Sequence, residues 1–296
     1  MKIGIQLPEV EWPVRWNDLA EMSCLIENLG FDSIWVGDHL LYRDSEGVDG
    51  GRGPWEAWSL LAAIGAITER VEIGPLVAAT AFHAPAMIAK RAVTIDEISA
   101  GRLILGLGAG WNEVEFNAFG FAHDRRVSRF EEAFTIIRTL IREGSIDFAG
   151  RFYSVAGGQL LPRGPRGAAL PLMIGSTGPR MLSIALPHAD LWNGWFDDYD
   201  NDPGRLPAVL GTIDAACEAA GRSEGEVAYT IAHLLQFGAA PQRRNSLNPV
   251  TGSPAAMADS LNRIATAGVA HVQLVLDPIT VESIEAAGRV LEILRG

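Results

Sequence analysis

Short apolar runs alternate with amphipathic stretches from one end of this chain to the other, and that alternation constrains the fold more than any single motif. The apolar runs fall at residues 2–7, 33–36, 71–76, 102–106, 172–174, 190–193, 227–231 and 272–276. Helical spacing occupies 16–29, 55–68, 85–98, 128–142, 179–186, 207–220, 253–267 and 281–294. In the first helix, Leu19, Met22, Leu25, Ile26 and Leu29 recur at the helical period and Gly30 stops the run. Pro85 suits a first helical turn. The run from Arg102 to Gly106 is bounded by glycines, as a strand buried on both faces would be. Strict alternation predicts parallel strands joined by helices. Eight such units close into a TIM (β/α)8 barrel, an α/β fold that leaves no sheet edge and takes all 296 residues as one domain. An open doubly wound sheet is the alternative.

The long insertions follow the second, fourth and seventh strands, at 40–53, 111–126 and 232–251. A further insertion at about 144–171 begins as a hairpin over 146–155 and continues as a proline- and glycine-rich passage. A short helix is expected over 113–119. In a barrel most of these insertions lie at the carboxyl-end face, where active sites are built. The net charge of −12 argues against a nucleic-acid partner, which needs a basic face. No apolar run reaches membrane-spanning length; the longest uncharged stretch is broken by Gly74, Pro75 and Pro85. The amino terminus enters the first strand at Lys2, leaving no room for a signal peptide, and there are two cysteines, Cys24 and Cys217. The expectation is a reduced, cytoplasmic setting.

The strand ends supply the candidates for chemistry: Gln6, Asp38 and His39, Leu76 to Thr80, Ala109 to Glu113, Gly175 to Gly178, Asn193 to Trp195, His233 and Asp277. Asp38-His39 is the most suggestive pair, because a histidine just past a barrel strand is placed for proton transfer near neutral pH. The alternative is a histidine packed under its loop. His83, His123, His188 and His271 read as packing residues, and His233 fits either role. Gly175-Ser176-Thr177-Gly178 precedes a helix, so its amides and hydroxyls form either an anion site, with Arg180 beside it, or a plain capping turn. Gly106, Gly108 and Gly110 either let a planar ligand lie on bare backbone or serve a tight turn, and their spacing is not the dinucleotide fingerprint. Cysteine and histidine are not clustered at metal-ligand spacings, and no Gly-x-Ser-x-Gly elbow occurs. Asp38, Glu113 and Asp277 offer carboxylates, but nothing selects a glycosidase pair among them. Eight tryptophans suit a pocket for a flat aromatic ligand.

Taken together, the segments 30–39, 68–74, 99–113 and 172–190 resemble the bacterial luciferase-like superfamily of flavin- and deazaflavin-dependent oxidoreductases. The most specific are Ser99-Ala100-Gly101-Arg102-Leu103 and Gly106-Leu107-Gly108-Ala109-Gly110-Trp111-Asn112-Glu113, which are most similar to the branch that uses coenzyme F420, a deazaflavin. The resemblance implies a barrel holding the cofactor ring at its carboxyl-end face and a non-prolyl cis peptide at Leu76-Val77 backing that ring. Leu76, Val77, Ala78, Ala109, Gly110, Trp111 and Asn112 would line the cofactor site, and Gly175, Ser176, Thr177 and Gly178 would take its phosphate. His39 would handle the proton, oriented by Asp38 or a neighbour. Hydride transfer between F420 and a small organic substrate is the implied activity, in a homodimer. The alternatives are an FMN-using two-component monooxygenase served by a separate flavin reductase, and a flavin-binding protein without turnover. Two positions depart from the pattern: His83 stands where many relatives carry arginine, and Trp111 where sugar-phosphate dehydrogenases place a catalytic glutamate. Glu113 is then the nearest carboxylate to that position. Arg243-Arg244 would suit a cofactor tail that carries carboxylates.

Overall fold

The computed structural model describes residues 1–43, 51–223, 225–238 and 248–296. The strands are β1 (Lys2–Gln6), β2 (Ser33–Val36), β3 (Glu72–Pro75), β4 (Ala78–Ala79), β5 (Leu105–Gly108), β6 (Ser145–Ala149), β7 (Ser154–Gln159), β8 (Leu172–Gly175), β9 (Leu191–Gly194), β10 (Ala228–Gln236) and β11 (His271–Asp277). The helices are α1 (Trp16–Asn28), α2 (Ala57–Ile67), α3 (Pro85–Ile98), α4 (Glu113–Phe119), α5 (Arg126–Glu143), α6 (Pro179–Ala185), α7 (Leu206–Ala219), α8 (Pro254–Thr266) and α9 (Val281–Arg295). Among the described residues no helix is long and apolar enough to cross a membrane.

One parallel sheet runs in the order β3-β2-β1-β11-β10-β9-β8-β5-β4. β3 and β4 are consecutive pieces of one run, so the sheet returns to its start. The Ile73 amide donates to the Arg102 carbonyl at 3.0 Å and its carbonyl accepts from the Ile104 amide at 2.8 Å, which closes the ring between β3 and the segment leading into β5. The result is the expected eight-membered barrel, with its third strand broken in two and the β6-β7 hairpin added outside it. The break lies at the Leu76–Val77 peptide bond, which is cis.

Alternation along each strand sorts two layers. Ile3 and Ile5 of β1 join Leu19, Met22 and Ile26 of α1 in the outer core between sheet and helices. The opposite faces fill the interior, where Trp35, Leu76, Ile104 and Met173 form a separate apolar cluster. Several polar groups inside the barrel are bonded to one another. The Trp35 indole donates to Ser33 Oγ at 2.7 Å, and that hydroxyl lies 2.7 Å from His271 Nε2. Asn193 Nδ2 donates to Thr230 Oγ1 and to Gln273 Oε1, each at 2.8 Å.

Outside the barrel, Arg102 locks the turn after α3. Its guanidinium donates to the carbonyls of Ser99, Val71, Gly65 and Thr68 and to Thr68 Oγ1. β10 is longer than the expected 227–231, because it pairs with β11 as far as Gln236 opposite Asp277, and Val250 adds a bridge on its other edge, its amide donating to the Leu234 carbonyl and its carbonyl accepting from the Gln236 amide. Both partners are distant in the chain, so local sequence carries no sign of where β10 ends.

Candidate active site

β2 delivers Asp38 and His39 to the carboxyl-end mouth, and the structure gives the two residues separate partners. Asp38 is buried, and its Oδ2 accepts from the Ala79 amide at 2.9 Å, tying β4 to the end of β2. The same oxygen lies 3.2 Å from His83 Nε2, while Arg91 points a guanidinium nitrogen at His83 Nδ1 from 2.9 Å. A guanidinium only donates, so a neutral His83 accepts at Nδ1 and carries its proton on Nε2, toward Asp38. The Trp58 indole, 3.1 Å from that nitrogen, then meets it without a free lone pair. His83, set aside on sequence as a packing residue, therefore completes a partly buried Asp38–His83–Arg91 chain behind the mouth.

His39 is held by Glu115, at 2.7 Å between Nδ1 and Oε1. The histidine side chain keeps 19% of its surface accessible and the carboxylate 1%. The other oxygen of Glu115 accepts from the amides of Leu40 (2.6 Å) and Leu41 (3.2 Å). Asn112 caps α4 by accepting from the Val114 amide and donates to the Leu41 carbonyl at 3.0 Å, so α4 grips the loop after β2 at several points. Burial alone disfavours the imidazolium. The hydrogen bond to Glu115, with the negative charges of Glu9, Glu115 and Asp38, outweighs it and holds the His39 pKa above the ordinary histidine value. Burial likewise raises Glu115, but His39 and the two amides more than offset that, and its pKa lies below the ordinary carboxylate value.

Glu113, the expected carboxylate, points the other way. Its side chain is 67% exposed and lies 3.9 Å from His123 Nδ1. Residues two apart on a helix lie on different faces, so only one of Glu113 and Glu115 can meet His39. The buried ring of Phe116 turns α4 so that Glu115 is the one.

The glycines of β5 face the broken third strand. A Cβ at Gly106 would lie 2.3 Å from the Pro75 carbonyl oxygen and 3.0 Å from Val77 Cγ1, and one at Gly108 would lie 2.8 Å from Val77 Cγ2. Gly175 also meets Val77, at 3.0 Å. Space that could have received a ligand at Gly106 and Gly108 is taken by the side chain and backbone of the bulge. The partly exposed Val77 is what this floor presents to the mouth. Gly110 has φ +74°, and a Cβ there would strike the Phe116 ring. Its carbonyl accepts from Arg126 at 2.7 Å, and Ala109 beside it is partly buried. Ala78 and Leu76 are buried.

Around His39 stand the Tyr42 ring, centroid to centroid 4.8 Å, and the Trp111 ring at 5.8 Å. Trp111 is 65% exposed. Tyr42 donates to Glu9 Oε2 at 2.7 Å, and Gln6 Nε2 donates to Glu9 Oε1 at 3.0 Å. At the opposite rim, the Gly178 amide donates to Ser176 Oγ at 3.2 Å, the Ser176 carbonyl accepts from the Trp192 indole, and Thr177 is exposed. Arg180 does not face this turn's hydroxyls; it bonds Ser128 Oγ and Glu131. His233 is fully buried between Tyr199 (2.9 Å) and Ser260 (3.1 Å), and burial lowers its pKa to about 3. It is a packing residue. Asp277 is buried at the end of β11, and Arg243-Arg244 lie outside the described residues. No group of histidine, cysteine and carboxylate side chains suited to a metal occurs among the described residues.

The sequence profile of the luciferase-like monooxygenases matches residues 1–271. The chain belongs to that family. It is 30% identical to the 5,10-methylenetetrahydromethanopterin reductase of Archaeoglobus fulgidus over 224 residues, 75% of this chain and 60% of the reductase. Against the F420-dependent glucose-6-phosphate dehydrogenase of Microbacterium testaceum, identity is 33% over 215 residues, 71% of this chain and 61% of the dehydrogenase. The chain thus spans about six tenths of the length of these relatives. The fold superimposes on an F420-dependent secondary alcohol dehydrogenase, solved with an F420–acetone adduct, at a TM-score of 0.81 over 100% of this chain and 99% of the other. Sequence identity there is 18%, so that likeness speaks for the fold.

Three participants were not legible beforehand. Glu9 lies in a loop of no regular structure, and Glu115 could be told from Glu113 only by knowing which face of α4 docks. His83 follows a short 3-10 turn (Thr80–Phe82) that brings it back to Asp38.

Proposed function

We propose that this chain is an F420-dependent oxidoreductase that moves a hydride between the deazaflavin and a small organic substrate, with His39 exchanging the proton. The observation that carries it is His39 itself, fixed at the mouth through Nδ1 and still partly accessible. The match to an F420-dependent glucose-6-phosphate dehydrogenase supports the cofactor. The residues present suit a flat, tricyclic group. Val77, seated against Gly106, Gly108 and Gly175, offers an apolar bed, and the exposed Trp111 offers an aromatic wall. Ser176 and Thr177 carry hydroxyls that would take the phosphate of its tail. When bound, the deazaflavin supplies the carbon that accepts or gives the hydride.

The chain's own residues do the rest. His39 Nε2 gives a proton to a substrate carbonyl oxygen, or takes one from a hydroxyl, and its raised pKa keeps it protonated to higher pH, which suits donation. Tyr42 and Trp111 flank the ring and confine the substrate. Glu9, Asp38 and Glu115 crowd His39 with negative charge, which favours an uncharged alcohol or carbonyl compound over a phosphorylated one. Free Cys24 and Cys217 are compatible with a reducing cytoplasmic setting as part of this reading.

The test is a fluorescence titration with F420 and with FMN, followed by turnover of simple alcohols and ketones by wild type and His39→Ala. F420 is expected to bind at least about tenfold tighter than FMN, a difference of ~1.4 kcal/mol. His39→Ala is expected to bind cofactor normally and lose about a hundredfold or more in turnover. Equal or inverted affinities would move the chain to the FMN-using monooxygenases of the family. Unchanged turnover in His39→Ala would remove the proton role.

A further inference from the structure

We infer that Glu115 is the positioning residue of this mouth: its carboxylate holds the Nδ1–H of His39, so that Nε2 alone is presented to substrate. The inference deepens the proposed function and rests on it only for what Nε2 does there, not for how the ring is held.

The geometry leaves Glu115 one role. Its side chain is 1% exposed, and a carboxylate buried so deeply needs its charge met by donors. The Leu40 and Leu41 amides supply two bonds, both from backbone that lacks any proton to lose at ordinary pH. The third donor is the His39 ring at 2.7 Å, and an ionised acceptor of that kind selects the tautomer with hydrogen on Nδ1. Asn112 locks the arrangement from the other side by capping α4 and bonding the Leu41 carbonyl. The ring therefore cannot turn over without breaking its own bond to Glu115, one of the contacts that join α4 to the loop after β2.

Other charges face His39, but each is engaged elsewhere. From the loop after β1, Glu9 accepts from Gln6 and Tyr42. From the loop after β2, Asp38 accepts from Ala79 and meets His83, and Tyr42 is committed as a donor to Glu9. On α4, Glu113 turns outward toward His123. Glu115 is the carboxylate with a direct bond to the imidazole, so removing its charge changes His39 more than any of the others would.

The test reads the ring directly. Nitrogen NMR of ligand-free wild-type protein is expected to show His39 protonated at Nδ1 throughout, with Nε2 the nitrogen that titrates. In Glu115→Gln, which keeps the shape and removes the charge, the His39 pKa is expected to fall by about one unit or more, and the matching limb of the kcat/KM profile to move with it. A wild-type ring bare at Nδ1, or a titration unmoved in Glu115→Gln, would overturn the inference. Lower unfolding resistance with an unmoved titration would make Glu115 a structural residue only. If Glu115→Gln does not fold, the wild-type tautomer decides on its own. Lack of F420 turnover while His39 titrates as stated would sink the proposed function and leave this inference standing.

Discussion

The seat of Val77 on β5 makes a sharp prediction about two neighbouring glycines. A methyl group at position 106 would arrive 2.3 Å from the Pro75 carbonyl oxygen, 2.9 Å from Met173 Cε and 3.0 Å from Val77 Cγ1. An ordinary carbon–oxygen contact needs about 1 Å more than the first of these, and that atom is backbone within β3, not the end of a side chain that can swing aside. Gly106→Ala should therefore fall at the upper end of overpacking costs, about 3 kcal/mol. At position 108 the close atom is Val77 Cγ2 at 2.8 Å, and the next is the Gly175 carbonyl at 3.7 Å. A single methyl group can rotate away, so Gly108→Ala should cost about 1 kcal/mol.

Urea unfolding of both variants, each also combined with Val77→Ala, separates the two mechanisms. Removing the Val77 methyls should recover most of the loss at 108 and little at 106, because the Pro75 oxygen stays where it is. Gly211→Ala is the control: its Cβ would meet nothing within 4 Å in the middle of α7, so it should stabilise by up to ~1 kcal/mol. If Gly106→Ala unfolds no earlier than Gly211→Ala, or if Val77→Ala rescues both positions equally, the account of these glycines as a seat for the bulge is wrong.

Arg102→Met should destabilise by roughly 2–3 kcal/mol in the same urea assay, since it leaves four carbonyls around the α3–β5 turn without their donor, and an unchanged midpoint would mean that water replaces the guanidinium freely. Acid should weaken the fold through His233 and His271, both pushed down by burial to about 3. The unfolded chain takes up those protons first, so stability contributed by the neutral rings is present above the ordinary histidine pKa and drains as pH falls from about 6.5 toward 3. His39, whose pKa is raised, acts in the opposite sense and contributes below that value. Measuring unfolding midpoints from pH 7 to pH 4 should show a shallower decline in His271→Asn than in wild type, and equal slopes would remove burial of that ring as a cause.

The barrel was legible because its signal is distributed. Each strand needs only a short apolar run and each helix a periodic stripe, and an error of two residues at any boundary leaves the order of elements intact. The same tolerance explains what was missed. Residues 71–76 read as a strand that ends at Leu76, since nothing in Ala78-Ala79 marks the second short piece, β4, that goes on to pair with β5. The glycines of β5 were visible as glycines, but whether the empty space belonged to a ligand or to Val77 depended on a segment some thirty residues earlier.

The site was legible in residue type and illegible in direction. Asp38 and His39 stood out because a strand end in a barrel can only deliver its next residues to the mouth. Which carboxylate meets the imidazole was a different question. Glu113 and Glu115 are the same residue type, and α4 has only seven residues, with Phe116 and Phe119 both among them, so its apolar face is ambiguous on sequence. Burial of Phe116 and exposure of Phe119 resolve the ambiguity, and both follow from how α4 docks on the loop after β2. That docking is itself made by Glu115, through the Leu40 and Leu41 amides, and by Asn112. The carboxylate that orients His39 is thus also the one that docks its own helix, one oxygen on the ring and the other on the amides. A local reading of either partner cannot find the pair, because the carboxylate has its place only once α4 has met the loop after β2.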